Sequence, residues 1–335
     1  MKHDLKITII LVTIFLISQF AGLFIVSQYM TFETTPAGEI NVTETRELPG
    51  NIERVEVENP WELVVGIFIA IIIGTILILV LRKYRLQKFW KGWFVVAVVT
   101  CMTFALNPLI GPVAALITSV IFGVWKVFWP NFYVHNLTEI FIYGGLAAIF
   151  VPIDKFNVVA GFLLLIVISL YDIFAVWQSK HMVKLAEFQT DSKVFAGLMI
   201  PYVSGSGKIK PNSHKVSLKN KDGSKRYKET QLNHNAKLEK NIKKLEKLQQ
   251  KDSSAKNKDS MVSNAILGGG DIGFPLIFAG AVMKSFGFTK AMIIPVFAAI
   301  ALLGLLLYSK KGKFYPAMPF ITAGCTLGYV IILLL

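Results

Sequence analysis

The sequence predicts an all-α membrane protein with nine transmembrane helices, and three observations carry that prediction. Hydrophobic residues make up 54% of the 335 residues and the mean hydropathy is +0.56, too apolar for a chain that must close on a water-facing surface. The apolar residues fall in runs close to the ~20 that a spanning helix needs. The formal charge of +14 is mainly local, since residues 202–260 hold sixteen Lys or Arg against six Asp or Glu.

The nine runs are residues 5–26, 63–81, 93–106, 109–128, 137–153, 156–176, 262–282, 291–308 and 317–335. The first is longer than the roughly 7–15 apolar residues of a signal peptide and has no convincing small-x-small cleavage site after it, so it counts as a span. The third is short, and Asn107-Pro108 with Pro112 blurs its boundary with the fourth. Residues 1–201 then carry six spans, 202–260 a basic loop and 261–335 three more spans. Bundled helices bury their faces jointly, so these form one membrane domain.

Charge in the short loops sets the orientation. Residues 31–62 hold eight Glu against Arg46 and Arg54, whereas Arg82, Lys83, Arg85, Lys88 and Lys91 crowd the next connection. The first loop is therefore external, the second cytoplasmic, the amino terminus cytoplasmic and the carboxyl terminus external. Lys310, Lys311, Lys313 and the long loop fall inside on this count, while Lys284 and Lys290 fall outside and disagree with it.

The 202–260 loop is rich in Lys, Asn and Ser, a composition predicting disorder. Within it, Leu238, Ile242, Leu245 and Leu248 recur at helical spacing over 237–251, predicting a basic amphipathic helix drawn to anionic lipid headgroups rather than to nucleic acid. Gly205-Ser206-Gly207-Lys208 lacks the first Gly of a phosphate-binding loop and reads as linker.

Several chemistries lack their residues. Cys101 and Cys325 lie in apolar segments and imply no disulfide. The five His are scattered, none in an H-E-x-x-H pair, and there is no G-x-S-x-G elbow. Neither a metal nor a cofactor is expected.

An Asp near the middle of a spanning helix costs about 3 kcal/mol on insertion scales, so an intramembrane carboxylate points to function. Asp172 and Asp271 stand out; Asp154, beside Lys155 at a helix end, is an interfacial charge. Asp172 lies a few residues before the cytoplasmic end of the sixth span and Asp271 about ten residues after the start of the seventh. Pro316-Ala317-Met318-Pro319 opens the ninth span, so all three features fall in the cytoplasmic half of the bilayer. Gly268, Gly269, Gly270 and Gly273 surround Asp271, and Pro275 lacks the amide that would bond the Asp271 carbonyl. This predicts a broken helix beside a water-accessible cavity. Close helix packing through small residues would explain the glycines alone, but not the two acids.

Tyr171-Asp172, the G-x-G-D of Gly268 to Asp271 and Pro316-Ala317-Met318 resemble, in this order, the motifs of the presenilin and signal peptide peptidase family of intramembrane aspartyl proteases. The family's Pro-Ala-Leu is here Pro-Ala-Met. The resemblance implies a presenilin-like bundle with Asp172 and Asp271 as the catalytic pair. It further implies that Tyr171, Gly268, Gly270, Pro316, Ala317 and Met318 shape the site or contact substrate. The substrates implied are transmembrane proteins or peptides in the lipid bilayer, which pair as an added strand with segments just before Gly268 and near Pro316. The inside amino terminus is similar to presenilins, and the compact form resembles an archaeal homologue, implying a prokaryotic cell membrane. Broken helices and midmembrane Asp residues also build ion- or proton-coupled transporters and leak channels, although no internal repeat is found. A non-catalytic scaffold leaves both carboxylates unexplained.

Overall fold

The structure, a computed structural model, describes residues 5–34, 36, 40–50, 52–129, 131–178, 188–189, 192, 194–203, 262–309 and 315–335. Helix α1 (Leu5–Ser27) leads into an antiparallel hairpin of β1 (Met30–Thr34) and β2 (Ile40–Thr45). There follow α2 (Pro60–Lys83), α3 (Gln87–Ile110), α4 (Pro112–Phe128), α5 (Phe132–Phe150) and α6 (Val158–Ile173). A widened π turn, Phe174–Gln178, continues α6. Strands β3 (Gly197–Val203) and β4 (Val262–Gly268) pair with each other, and α7 (Gly269–Ala291), α8 (Ile293–Tyr308) and α9 (Met318–Leu334) complete the order. The chain divides into two compact units, Met1–Ile200 with Ala265–Leu335, and Pro201–Asn264. The candidate site residues lie in the first; the expected helix at 237–251 and the 205–208 linker lie outside the described residues.

Nine helices are present among the described residues. Five are long and apolar enough to cross a membrane, namely α1, α2, α3, α6 with its π turn, and α7, while α4, α8 and α9 are shorter apolar helices. The remaining helix, α5, buries His135, Asn136, Thr138 and Glu139. Local signals set several helix starts: Pro60 and Pro112 occupy first-turn positions, and Asn131 and Asn157 accept from the Tyr133 and Ala160 amides, each at 2.9 Å.

Two expected boundaries are corrected. The third span is not short: α3 runs through Pro108 to Ile110. Pro108 cannot bond the Phe104 carbonyl four residues earlier, and the Tyr29 hydroxyl donates to that carbonyl instead, at 2.6 Å. The chain then turns at Gly111, whose φ of +81° glycine adopts without strain. The seventh run divides, its first residues forming β4 and its helix beginning only at Gly269.

Helix α7 is the hub, packing against α1, α5, α6, α8 and α9. Two-thirds of it (67%) is buried, against 17% of the peripheral α2. Small residues allow the close approach that membrane helices need: Gly22 of α1 faces Leu276, and Gly161 of α6 faces Phe278. Phe162, Phe278, Phe286 and Tyr329 pack edge to face around the α7 core. Lys284 donates to the carbonyls of Ile153 (2.8 Å) and Phe156 (3.0 Å), tying α7 to the α5–α6 turn. Its charge is thus engaged inside the fold, which explains why it fits poorly as a loop charge.

Candidate active site

Asp172 stands in the last turn of α6, just before the π turn, and is only 8% exposed. The neighbouring turn is held by Ser169, whose hydroxyl shares a 2.8 Å bond with that of Thr322 on α9. The first residue of α9 comes to Asp172 itself: the Met318 amide donates to Oδ2 at 3.1 Å, and the Ala317 amide also bonds the carboxyl. A helix N-terminus offers free N–H groups and a partial positive charge to an anion. Pro316-Ala317-Met318 therefore meets Asp172 through its backbone, with Pro316 and the Met318 side chain buried.

Asp271 occupies the third position of α7 and is half-buried. Gly268 is the N-cap, with extended φ/ψ of −64° and 148°, and its amide bonds the Asp271 carboxyl. This is the reciprocal half of a capping box. The glycines thus begin a helix where the expected reading had them break one, at positions whose amides need no intrahelical partner. A mainly apolar pocket opens at this turn, and neither Asp271 nor Asp172 is among the residues that line it. About 490 Å³ in volume, it is lined by Gly268, Gly269, Gly270 and Gly273 on one side and by Phe94, Cys101 and Tyr143 on the other. The α6 and α7 ends bring Asp172 and Asp271 within electrostatic interaction of each other.

The glycines differ in what they admit. A Cβ on Gly269 would stand 2.6 Å from the Tyr143 hydroxyl, whereas one on Gly268 would stand 3.3 Å from Asp271 Oδ2 and one on Gly270 3.4 Å from the Phe274 ring. Gly269, named from the sequence among the glycines around Asp271 but not among the residues expected to shape the site, is the tightest of the three. Tyr171 points elsewhere: its hydroxyl shares a 2.9 Å bond with Thr75 of α2, and its ring packs edge-on against Phe68. It lines an apolar groove of about 520 Å³ between α2 and α6.

Polar side chains of α5 receive β3, the strand paired with the β4 that leads into Asp271. His135 Nε2 donates to Gly197 O at 2.8 Å, and the Gly197 amide donates to Glu139 Oε2 at 3.1 Å. Asn136 exchanges two bonds with Met199, at 2.8 and 3.0 Å. Buried Lys126 of α4 pairs with Glu139, to which the Tyr143 hydroxyl also donates. On α1, Gln19 donates to the carbonyl of Ile272, next to Asp271, at 2.7 Å. None of these residues figured in the sequence-based site: Lys126 and Glu139 lie within two residues of the ends of their expected spans, where a charge reads as interfacial, and only the tertiary packing shows them buried. Among the described residues no cluster of three His, Cys, Asp or Glu could hold a metal ion.

The signal-peptide peptidase, presenilin aspartyl protease family model matches residues 12–227, a stretch that includes Asp172 and ends before Asp271. Two solved structures, each of a presenilin family intramembrane aspartate protease, share the fold. The C222 crystal form is 14% identical with a TM-score of 0.51, over 98% of this chain and 98% of that one. The P2 form is 15% identical with a TM-score of 0.51, over 97% and 96%. No curated protein sequence matches. With the family match covering well over half of the sequence, the chain belongs to the signal-peptide peptidase and presenilin family of intramembrane aspartyl proteases.

Proposed function

We propose that Asp172 and Asp271 are the catalytic pair of this integral membrane protease and hydrolyse peptide bonds in transmembrane segments of other proteins. The observation that carries the proposal is that two acids from distant sequence lie within electrostatic reach of each other at helix ends, one bonded by the α9 N-terminus and the other by its own N-cap. Two carboxyl groups held together share a proton, so one acts as base while the other acts as acid. The base takes a proton from water, and the oxygen attacks the scissile carbonyl carbon. The carbonyl π electrons move to its oxygen, which the acid protonates. Collapse of the tetrahedral intermediate re-forms the carbonyl and breaks the C–N bond, and the departing nitrogen takes a proton from the pair. The two groups titrate as a unit.

A helical substrate shields its own amides and must unwind locally before attack. The extended segment then adds as a strand. In the β3–β4 ribbon the backbone groups of alternate residues point to opposite edges. Those of Gly197 and Met199 are already taken by α5, so a further strand can join only beside β4, which runs directly into Gly268 and Asp271. Gly268 and Gly270 leave the approach to Asp271 clear of side chains, Pro316 to Met318 present backbone from the opposite side, and Tyr171 lies on the α2–α6 groove by which a helix can approach. The exposed basic α2–α3 turn supports a cytoplasmic face at that end and a cytoplasmic amino terminus.

The test uses purified protein and a synthetic transmembrane peptide. Asp172→Asn and Asp271→Asn should each abolish cleavage while insertion and melting persist, and the double variant should be scarcely worse than either. Substantial cleavage by either Asn variant, with contaminating proteases excluded, refutes the assignment.

A further inference from the structure

Helix α5 carries His135, Asn136, Glu139 and Tyr143 on one face, and all four are at most 7% exposed. Burying an ion pair and an amide in a membrane protein is costly, and an apolar face of similar shape is often at least as stable. The proposed chemistry uses none of these groups. They are spent on β3: both backbone groups of Gly197 and both of Met199 find a donor and an acceptor on α5, as an adjacent strand would supply them. Asn136, which donates to and accepts from the same residue, takes the place of a backbone amide.

The connection continues to the catalytic turn. Glu139 is held by Lys126 on one oxygen and by Tyr143 and the Gly197 amide on the other. Tyr143 lies against Gly269, and the Gly269 amide donates to Ala196 O at 3.3 Å, just before β3. An isolated two-stranded ribbon is marginal, and a one-residue slip turns every side chain to the other face. From this geometry we infer that the α5 face, with Glu139 at its centre, sets the register in which the β3–β4 ribbon presents substrate to Asp271. Building on the protease assignment above, His135, Asn136 and Glu139 are positioning residues, acting through the ribbon rather than on the reacting atoms.

Hydrogen exchange and cleavage-site mapping on the full chain test this together. Asn136→Leu removes both bonds to Met199 without stranding a charge, and Glu139→Leu combined with Lys126→Met removes the ion pair as a unit together with the acceptor of the Gly197 amide. In each, the amides at 197 and 199 should exchange about tenfold faster, the loss of roughly one hydrogen bond. Binding of a transition-state aspartyl protease inhibitor should persist. KM for the synthetic peptide should rise more than kcat falls, and cleavage should spread from the wild-type bond to its neighbours. Should the double variant fail to fold, Asn136→Leu carries the same readouts. Faster exchange with unchanged KM and cut sites would make the α5 face purely structural and overturn the positioning role; unchanged exchange would overturn the bonds themselves. An inactive wild-type protein would instead refute the protease assignment, a result seen before any α5 residue is altered.

Discussion

The backbone amide of Met318 donates a 3.1 Å hydrogen bond to Asp172 Oδ2 across 146 residues of sequence. The donor belongs to the main chain, so the identity of the side chain at 318 matters to packing and not to the bond. Met318→Leu should retain near wild-type cleavage, with a stability change under about 1.5 kcal/mol. Pro316→Ala frees the backbone ahead of that amide and should lower kcat/KM about fivefold, as loss of one rigid residue implies. Initial rates on the synthetic peptide decide both, and a dead Met318→Leu variant with normal melting would contradict the backbone role.

Gly268 and Gly269 should separate activity from stability. An Ala at 269 meets the Tyr143 hydroxyl at 2.6 Å and should lower stability by about 1–3 kcal/mol, with part regained when Tyr143→Phe is added. An Ala at 268 meets Asp271 Oδ2 at 3.3 Å and should displace the carboxyl, reducing cleavage at nearly unchanged melting temperature. Equal effects of the two on melting would count against this division.

Gln19 is fully buried, and its Oε1 finds no partner among the described residues while its Nε2 bonds the Ile272 carbonyl. Gln19→Leu removes an unsatisfied acceptor along with the donor, so its stability should stay within about 1 kcal/mol of wild type. Gln19→Glu replaces the donor with an acceptor and strands a charge, and should cost about 3 kcal/mol or more. Thermal melts in detergent compare the two; a benign Gln19→Glu would mean that water reaches this position.

Composition assigns no chemistry to the basic loop. Deleting residues 206–256 and joining the ends with a flexible linker should leave measurable cleavage of the synthetic peptide. A folded deletion protein with no activity would show that the loop contributes to catalysis.

The spans and the two acids were legible because hydropathy runs and intramembrane carboxylates are properties of short stretches of sequence. Where tertiary contacts supply the missing group, that legibility ended. Pro108 reads as a helix break, but Tyr29 donates to the carbonyl it orphans, and nothing near Pro108 announces this. The 262–268 run is as apolar as a helix, and only its pairing with β3 makes it a strand. Gly268 to Gly270 read as a broken helix, whereas they form its start; periodicity does not distinguish a breaker from a cap. Glu139 and Lys126 stand near the ends of their apolar runs, where a charge ordinarily reaches water, and only the packing of α4 against α5 buries them as a pair.

The kink at Gly287, where φ is +79° and ψ 170° inside α7, bears on where water can come from. Only residues 269–286 form continuous helix, about 27 Å at 1.5 Å per residue, close to one hydrocarbon thickness of ~30 Å. Asp271, in the first turn, therefore sits at one end of that length and not near its middle. On the proposed assignment each turnover consumes a water molecule, and an acid in the first turn of a helix of that length lies nearer to the aqueous phase than one at its middle would. On the same assignment, a guest helix lying alongside α7 would be cut near one end of its span rather than at its centre.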